Sequence, residues 1–127
     1  MGYNRHHAII VTISDEVEVV EAHDKATEIF GHSAMVSPVV MSKANSHYSF
    51  FVGPDGSKDG WESSNQGDQD RKAFIAYIRS RRCTDGSGWS YVEVQFGDDN
   101  GETKIMNSSD DDYNHHQEEL SEKRTGN

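Results

Sequence analysis

The chain has 127 residues, with 12 Lys and Arg against 22 Asp and Glu, so its formal net charge is −10. This length predicts one domain, and no apolar run approaches the ~20 residues that span a bilayer, so we expect a cytoplasmic protein that does not contact membranes. The excess of carboxylates would be repelled by nucleic-acid phosphate, which argues against direct binding of nucleic acid.

The first two predicted elements are a strand and a helix. Residues 8–13 are mostly β-branched and apolar at nearly every position, which is typical of a central strand buried on both faces. Asp15 is placed to cap the following helix, with Glu18 three residues later, and apolar side chains then recur at helical spacing. Gly31 can adopt the left-handed conformation that ends a helix. The pattern predicts an amphipathic helix over residues 16–30.

The middle of the chain is predicted to form two strands and a long loop. The apolar run 35–41 contains Pro38, which cannot donate to a strand ladder, so we expect an edge strand or a bulge. Residues 47–52 are aromatic and β-branched, as in a strand, and the turn-forming residues 53–56 follow them. The polar stretch 57–69 is predicted to be a long loop.

The next part of the chain is predicted to hold a helix and a hairpin. Acidic residues at the amino end and basic residues at the carboxyl end favour a helix over 71–82, because they complement the helix dipole. Apolar and polar side chains alternate over 89–96, which is typical of a half-exposed strand. The Asn-Gly pair at 100–101 indicates a tight turn, after which residues 102–106 can return as a fifth strand.

The order strand, helix, strand, strand, helix, strand, strand predicts an α+β fold. We expect an antiparallel sheet of four to five strands with two helices on one face, ferredoxin-like or related to it. Residues 1–107 would form this single domain, and residues 108–127 an acidic, disordered tail. The other face of the sheet must be solvated or covered by a partner.

Large aromatic side chains are more numerous than two short helices are expected to cover. Exposed apolar area of this kind marks interaction surfaces, so a homodimer is a candidate assembly. The side chains in question are Tyr48, Trp61, Trp89, Tyr91 and one of Phe50 or Phe51.

Candidate metal ligands occur in three places but match no complete site. Residues 55–60 have oxygen-bearing side chains and a final Gly arranged as in a calcium-binding loop, but Gln66 stands where a bidentate Glu is needed. The pairs His6–His7 and His115–His116 lack the helical spacing of metal ligands and lie near the chain ends. We therefore expect no metal and no cofactor, with calcium at 55–60 as a minor alternative.

No pattern indicates catalysis. Cys83 is the only cysteine, which excludes an intrachain disulfide, and no recognisable set of histidine and acid surrounds it. The chain has no nucleophile elbow, phosphate loop, dinucleotide fingerprint or zinc-protease motif. The sequence therefore predicts a protein that is not an enzyme.

The one concentration of basic residues lies on the second predicted helix. Arg71, Arg79 and Arg82 could contact the phosphates of a nucleotide while Trp61 stacks on its base, provided that the long loop folds over the helix. The same arginines could instead pair with carboxylates of this acidic chain. A protein that binds or sequesters a small ligand such as a nucleotide is therefore the alternative function.

Acidic residues dominate the end of the chain. Residues 93–122 contain 10 Asp and Glu against one base, Lys104. These carboxylates either keep the protein soluble or imitate phosphate and compete for a basic groove on a nucleic-acid-handling protein. The candidate partner-binding residues are Asp98, Asp99 and Glu102 of the hairpin, with Tyr91 and Trp89 of the preceding strand.

Three stretches carry a resemblance to a known group of proteins. The sequences YSFFVGPDGSKDGW (48–61), DRKAFI (70–75) and YVEVQFGDD (91–99) resemble small accessory proteins of tailed bacteriophages and prophages. The similarity extends over about residues 5–109, and it assigns no functional residues. It implies expression in the cytoplasm of an infected bacterium and a non-structural role.

This resemblance leads to a functional hypothesis. Small acidic phage proteins frequently act by occupying a host protein. We therefore expect a non-enzymatic protein that inhibits or redirects a host factor, such as a nucleic-acid-handling or defence protein. The contact would use the exposed face of the sheet or the acidic hairpin and tail.

Overall fold

A computed structural model describes residues 6–31, 35–54, 62–82, 89–97, 101–110 and 112. Within these residues the chain forms five strands and two helices. In chain order they are β1 (His6–Ile13), α1 (Glu16–Phe30), β2 (Val40–Met41), β3 (Tyr48–Val52), α2 (Glu62–Arg82), β4 (Trp89–Phe96) and β5 (Lys104–Ser108).

Helix α1 has the ends that its sequence predicts. The side chain of Asp15 accepts a hydrogen bond from the backbone N–H of Glu18 at 2.9 Å, which satisfies one of the unpaired donors of the first turn. At the other end, Gly31 has a φ of 59° and its N–H bonds to the carbonyl of Thr27. A side chain at position 31 would strain this conformation, so glycine fixes where the helix stops.

The five strands form one sheet in the order β2-β3-β1-β4-β5, and every neighbouring pair is antiparallel. The first four strands have the order of a ferredoxin-like sheet, in which each helix connects two strands that are separated by a third. Strand β5 extends this arrangement beyond β4. The predicted α+β fold is therefore confirmed, and β1 is its central strand.

The two faces of the sheet differ in burial. Ile9, Val11 and Ile13 of β1 are fully buried among residues from both helices, whereas Ile10 between them is 46% exposed. The prediction that this strand is buried on both faces is thus wrong, because both helices pack on one side of the sheet. We call the uncovered side the open face.

Strand β4 alternates as predicted. Its helix-covered positions are the more polar set: Trp89, Tyr91, Glu93 and Gln95 are buried. The apolar set, with Val92 and Val94, lies on the open face.

Aromatic rings connect the two helices with the sheet. Phe74 of α2 lies between Phe30 of α1, at a centroid distance of 5.8 Å, and Phe50 of β3, at 6.3 Å. Tyr77 stacks on Phe74 and meets the edge of Trp89 at 6.2 Å. Trp89 belongs to the set of aromatic side chains predicted to exceed what the helices cover, and the structure encloses it here.

The apolar run 35–41 follows the edge of the sheet, as predicted, but only its end forms a regular strand. The N–H of Ser37 donates to the carbonyl of Phe51, and the Ser37 hydroxyl accepts from the N–H of Phe51, both at 2.8 Å. Pro38 comes next and has no N–H, so the ladder is interrupted until β2.

Helix α2 begins earlier than the sequence predicts. The prediction of a loop over 57–69 is wrong from Glu62 onward, because this residue already belongs to the helix. Polar side chains one turn apart support the early part of α2; for example, Gln66 Nε2 donates to Asp70 Oδ1 at 3.0 Å. Such pairs leave no apolar stripe, so hydrophobic periodicity does not reveal this half of the helix.

Candidate functional site

A row of polar side chains lies between α2 and strands β4 and β5, on the helix-covered side of the sheet. We call this row the polar cluster. Its members are Asp68, Arg71, Arg79, Tyr91, Glu93, Asn107 and Asp112.

The inner half of the polar cluster centres on Arg71. The Arg71 side chain is 6% exposed, and its Nε lies 3.8 Å from Oε2 of Glu93, whose side chain is 11% exposed. Arg71 also donates to the carboxylate of Asp68, and Glu93 accepts from Nδ2 of Asn107 at 2.6 Å. Burial strengthens the attraction between these charges, and the additional hydrogen bonds satisfy their remaining polar atoms.

The outer half of the polar cluster centres on Asp112. Its two carboxylate oxygens accept from Nε and Nη2 of Arg79, each at 3.2 Å, and Oδ2 also accepts from the hydroxyl of Tyr91. Arg79 donates in addition to Oδ1 of Asn107 at 2.8 Å, which joins the two halves. Ordered packing therefore continues beyond residue 107, and Ser109, 8% exposed, binds the backbone of Tyr91.

The Tyr91 hydroxyl keeps its proton at pH values above the ordinary pKa of tyrosine. Burial raises the pKa of Tyr91 to about 12, and the hydrogen bond to Asp112 acts in the same direction, while the nearby Arg79 opposes them. Since the folded-state pKa lies above the unfolded value near 10, the stability that Tyr91 contributes is fully present below pH 10. It is lost as the pH rises through about 12.

We predict that Asp112→Asn lowers the pKa of Tyr91 toward its ordinary value of 10, because the substitution removes the negative charge beside the phenol. Tyrosine labelled with ¹³C at Cζ gives one resonance per ring, and Tyr91→Phe identifies the relevant one in a pH titration. An unchanged titration in the Asp112→Asn protein would show that burial alone sets this pKa.

The polar cluster does not resemble an anion pocket. Arg71 and Arg79 both bind carboxylates of this chain, which is the structural alternative that the acidic composition suggested. The other two residues of the predicted nucleotide site cannot be placed against them: Trp61 and the side chain of Arg82 lie outside the described residues. The described geometry is that of a structural clamp that holds α2 and the segment after β5 against β4.

The predicted partner-binding residues fall in different places. Asp98 and Asp99 lie outside the described residues, whereas Glu102 is exposed and its carboxylate is 3.3 Å from Nζ of Lys104. Trp89 and Tyr91 are 3% and 4% exposed, because both side chains point under the helices. The expectation that their rings form part of an exposed surface is therefore wrong.

Metal binding finds no support in the described part of the chain. No group of three or more His, Cys, Asp or Glu within it could hold a metal ion. The segment 55–60, the His115–His116 pair, Cys83 and the tail beyond Asp112 lie outside the described residues. Among the helices that are described, none is long and apolar enough to cross a membrane.

The open face is a surface feature that the sequence patterns did not identify residue by residue. Strand pairing places together Ile10 with Phe51 and Val92, and Val94 with Ile105. Ile10, Phe51 and Ile105 are 46%, 48% and 64% exposed. The described strand positions on this face are His6, Ala8, Ile10, Thr12, Val40, Ser49, Phe51, Ser90, Val92, Val94, Phe96, Ile105 and Ser108, with no Asp, Glu, Lys or Arg among them.

The outward side of α1 has the opposite character. Val17, Glu21, Asp24 and Glu28 are exposed and fall within one narrow stripe of the helix, which we call the acidic stripe. Arg81 donates to Glu21 at 2.7 Å, and Lys25 is 3.6 Å from Glu28, so bases border this stripe without occupying it. The sequence pattern of α1 indicates which positions are polar, but it does not indicate a stripe that combines three carboxylates with an exposed Val.

Comparison with known proteins assigns no function to the chain. No family model matches the chain, and no curated protein and no solved structure is significantly similar to it. The resemblance to phage accessory proteins remains a prediction.

Proposed function

We propose that this protein is a non-enzymatic, acidic binding protein that occupies a basic groove on a host protein and so inhibits or redirects it. The segregation of charge over the described surface carries the proposal. Carboxylates project from the outer side of α1, whereas the open face has none at its described strand positions. A soluble protein needs only dispersed charges, so this segregation favours a dedicated acidic surface.

The acidic stripe has a spacing that suits a basic groove. With a helical rise of about 1.5 Å per residue, Glu21 and Glu28 lie about 10 Å apart along α1, with Asp24 between them. Nucleic acid presents its charges at a comparable scale, one phosphate per ~3.4 Å of each strand. A groove that tracks phosphates could therefore accept these carboxylates, with its own bases replacing Arg81 at Glu21 and Lys25 at Glu28.

The exposed valine adds an apolar contact to this surface. Val17 is 78% exposed at the amino end of the stripe, where the first turn of α1 also bears Glu16 and Glu18. The charges would steer a basic partner toward the helix and speed its association, while burial of Val17 would slow its release. Salt must weaken such a complex, because exposed charges are screened over about 8 Å at physiological ionic strength.

The test starts from an affinity pull-down of the tagged protein from bacterial lysate at low and high salt, with mass spectrometry of the bound proteins and of small molecules released by heating. The bacterial source follows from the resemblance to phage proteins. We expect one stoichiometric protein partner that is lost at high salt. A released nucleotide without a protein partner would favour the ligand-binding alternative.

Matched charge reversals then locate the surface. The Asp24→Lys, Glu28→Lys protein and the Asp99→Lys, Glu102→Lys protein have the same net charge, so a difference between them reports position and not total charge. We expect tenfold or greater weakening of partner binding in the α1 variant and a smaller change in the hairpin variant, with an unchanged circular dichroism spectrum in both. Equal, unweakened binding by both variants would reject the proposal.

A further inference from the structure

The open face is a candidate interface because its described strand positions are largely apolar and hold no Asp, Glu, Lys or Arg in a strongly acidic chain. We infer that its occupant is a second copy of this chain, bound sheet to sheet in a symmetric dimer. The inference does not depend on the proposed function, which uses the opposite side of the molecule.

Charge complementarity selects the occupant. Two copies that each have a net charge of −10 repel one another over most orientations, and at the described strand positions of the open face they can meet without opposing carboxylates. A basic host protein would gain no electrostatic attraction from this face. In a two-fold dimer the same patch meets itself, and an uncharged apolar patch is complementary to itself.

The size of the open face suits a weak, reversible dimer. The five strands contain 28 residues, and at about 3.4 Å of length and 4.8 Å of width per residue they give a projected area of ~460 Å². This area is at the low end of the range for specific interfaces, so we expect association at micromolar concentrations. Sheets that pack face to face lie about 10 Å apart with interdigitated side chains, which Ile10, Phe51 and Val94 can supply.

Two of the polar side chains on this face, Thr12 and Ser49, do not oppose its burial. The hydroxyls of Thr12 and Ser49 hydrogen-bond to one another across β1 and β3 at 2.8 Å. His6 packs against the ring of Phe96 with a centroid distance of 5.5 Å. A buried polar group is costly only when it has no partner, so the hydroxyl pair can enter a dry interface at little cost.

The dimer also arranges the acidic stripes. Because both helices lie on the side away from the open face, docking of two sheets directs both α1 helices outward. The carboxylates of the two copies are then separated by two sheets and two helix layers. One assembly would present two acidic stripes on opposite sides, and it could engage two basic partners at once.

The experiment is sedimentation equilibrium of the full chain between about 1 and 100 μM, since dimerisation depends on protein concentration. We expect a mass of twice 14.2 kDa at the upper end of this range. Phe51→Glu should raise the dimer dissociation constant by a hundredfold or more, because it places a carboxylate in the apolar patch of each copy. Val17→Glu adds the same charge on α1 and should leave the dimer intact.

A second open-face variant tests whether loss of the dimer could result from misfolding of the Phe51→Glu protein. Ile105→Glu changes a side chain that is 64% exposed on β5, and it should give a monomer with the same circular dichroism spectrum as the wild type. A wild-type protein that stays monomeric at 100 μM would overturn the inference, whether or not another protein is captured on this face. Equal dissociation of the Phe51→Glu and Val17→Glu proteins would overturn it as well.

Discussion

Replacement of Arg71 by Met is expected to lower the free energy of unfolding by about 3–5 kcal/mol, the cost of removing one partner from a buried ion pair. The substitution leaves the Glu93 carboxylate, 11% exposed, without the guanidinium that lies 3.8 Å from it. Asp68 loses a hydrogen bond as well, although its side chain is 59% exposed and water can replace the donor. Urea denaturation followed by circular dichroism measures the change.

The controls for this prediction separate lost packing from an uncompensated charge. Lys72→Met alters the next residue on α2, which is exposed, and should change the stability by no more than about 0.5 kcal/mol. In the double variant Arg71→Met, Glu93→Gln the uncharged amide can still accept from Asn107, so much of the loss should be recovered. A single-variant effect below about 1 kcal/mol would show that water reaches Glu93.

Local signals in the sequence are sufficient for α1 and for the order of helices and strands along the chain. Asp15, Glu18 and Gly31 act within one turn of the helix ends, so their roles depend on neighbours in sequence. The alternation of helices and strands then leaves few un-knotted antiparallel arrangements, of which the ferredoxin-like order is one. The ends of α1 could be predicted because short-range contacts determine them, and the sheet order because few topologies remain once the order of the elements is known.

The buried side of β4 could not be predicted in this way. Alternation divides the strand into two sets of side chains, and the set with Val92 and Val94 is the more apolar one. The helices nevertheless cover the set with Glu93, because Arg71 of α2 supplies the opposite charge from a different element. Such a pair leaves no local trace in the sequence, so hydrophobicity alone indicates the wrong surface for burial.

The candidate surfaces depend on the same long-range information. Ile10, Phe51 and Val94 become neighbours only when the strand order and register are known, since they belong to three different strands. The aromatic residues that seemed available for contacts, Trp89 and Tyr91, are instead enclosed under the helices. The expectation of an uncovered sheet face is confirmed for Phe51, which is 48% exposed, whereas Trp89 and Tyr91 lie under the helices and Trp61 lies outside the described residues.

Truncation of Phe74 to Ala should also cost about 3–5 kcal/mol of unfolding free energy, the range for large aromatic side chains in cores. Phe74 is fully buried, and its ring lies 5.8 Å from that of Phe30 and 6.3 Å from that of Phe50. One residue of α2 thus contacts both the other helix and the sheet. None of the three elements can move into the cavity left by the Ala variant without disturbing its packing on the other two. Phe74→Leu fills more of that volume and should cost clearly less, whereas Val17→Ala, at a position 78% exposed, should have almost no effect. Urea denaturation of the three proteins measures this order, and a loss below about 1.5 kcal/mol for Phe74→Ala would mean that the helices repack over the sheet without this ring.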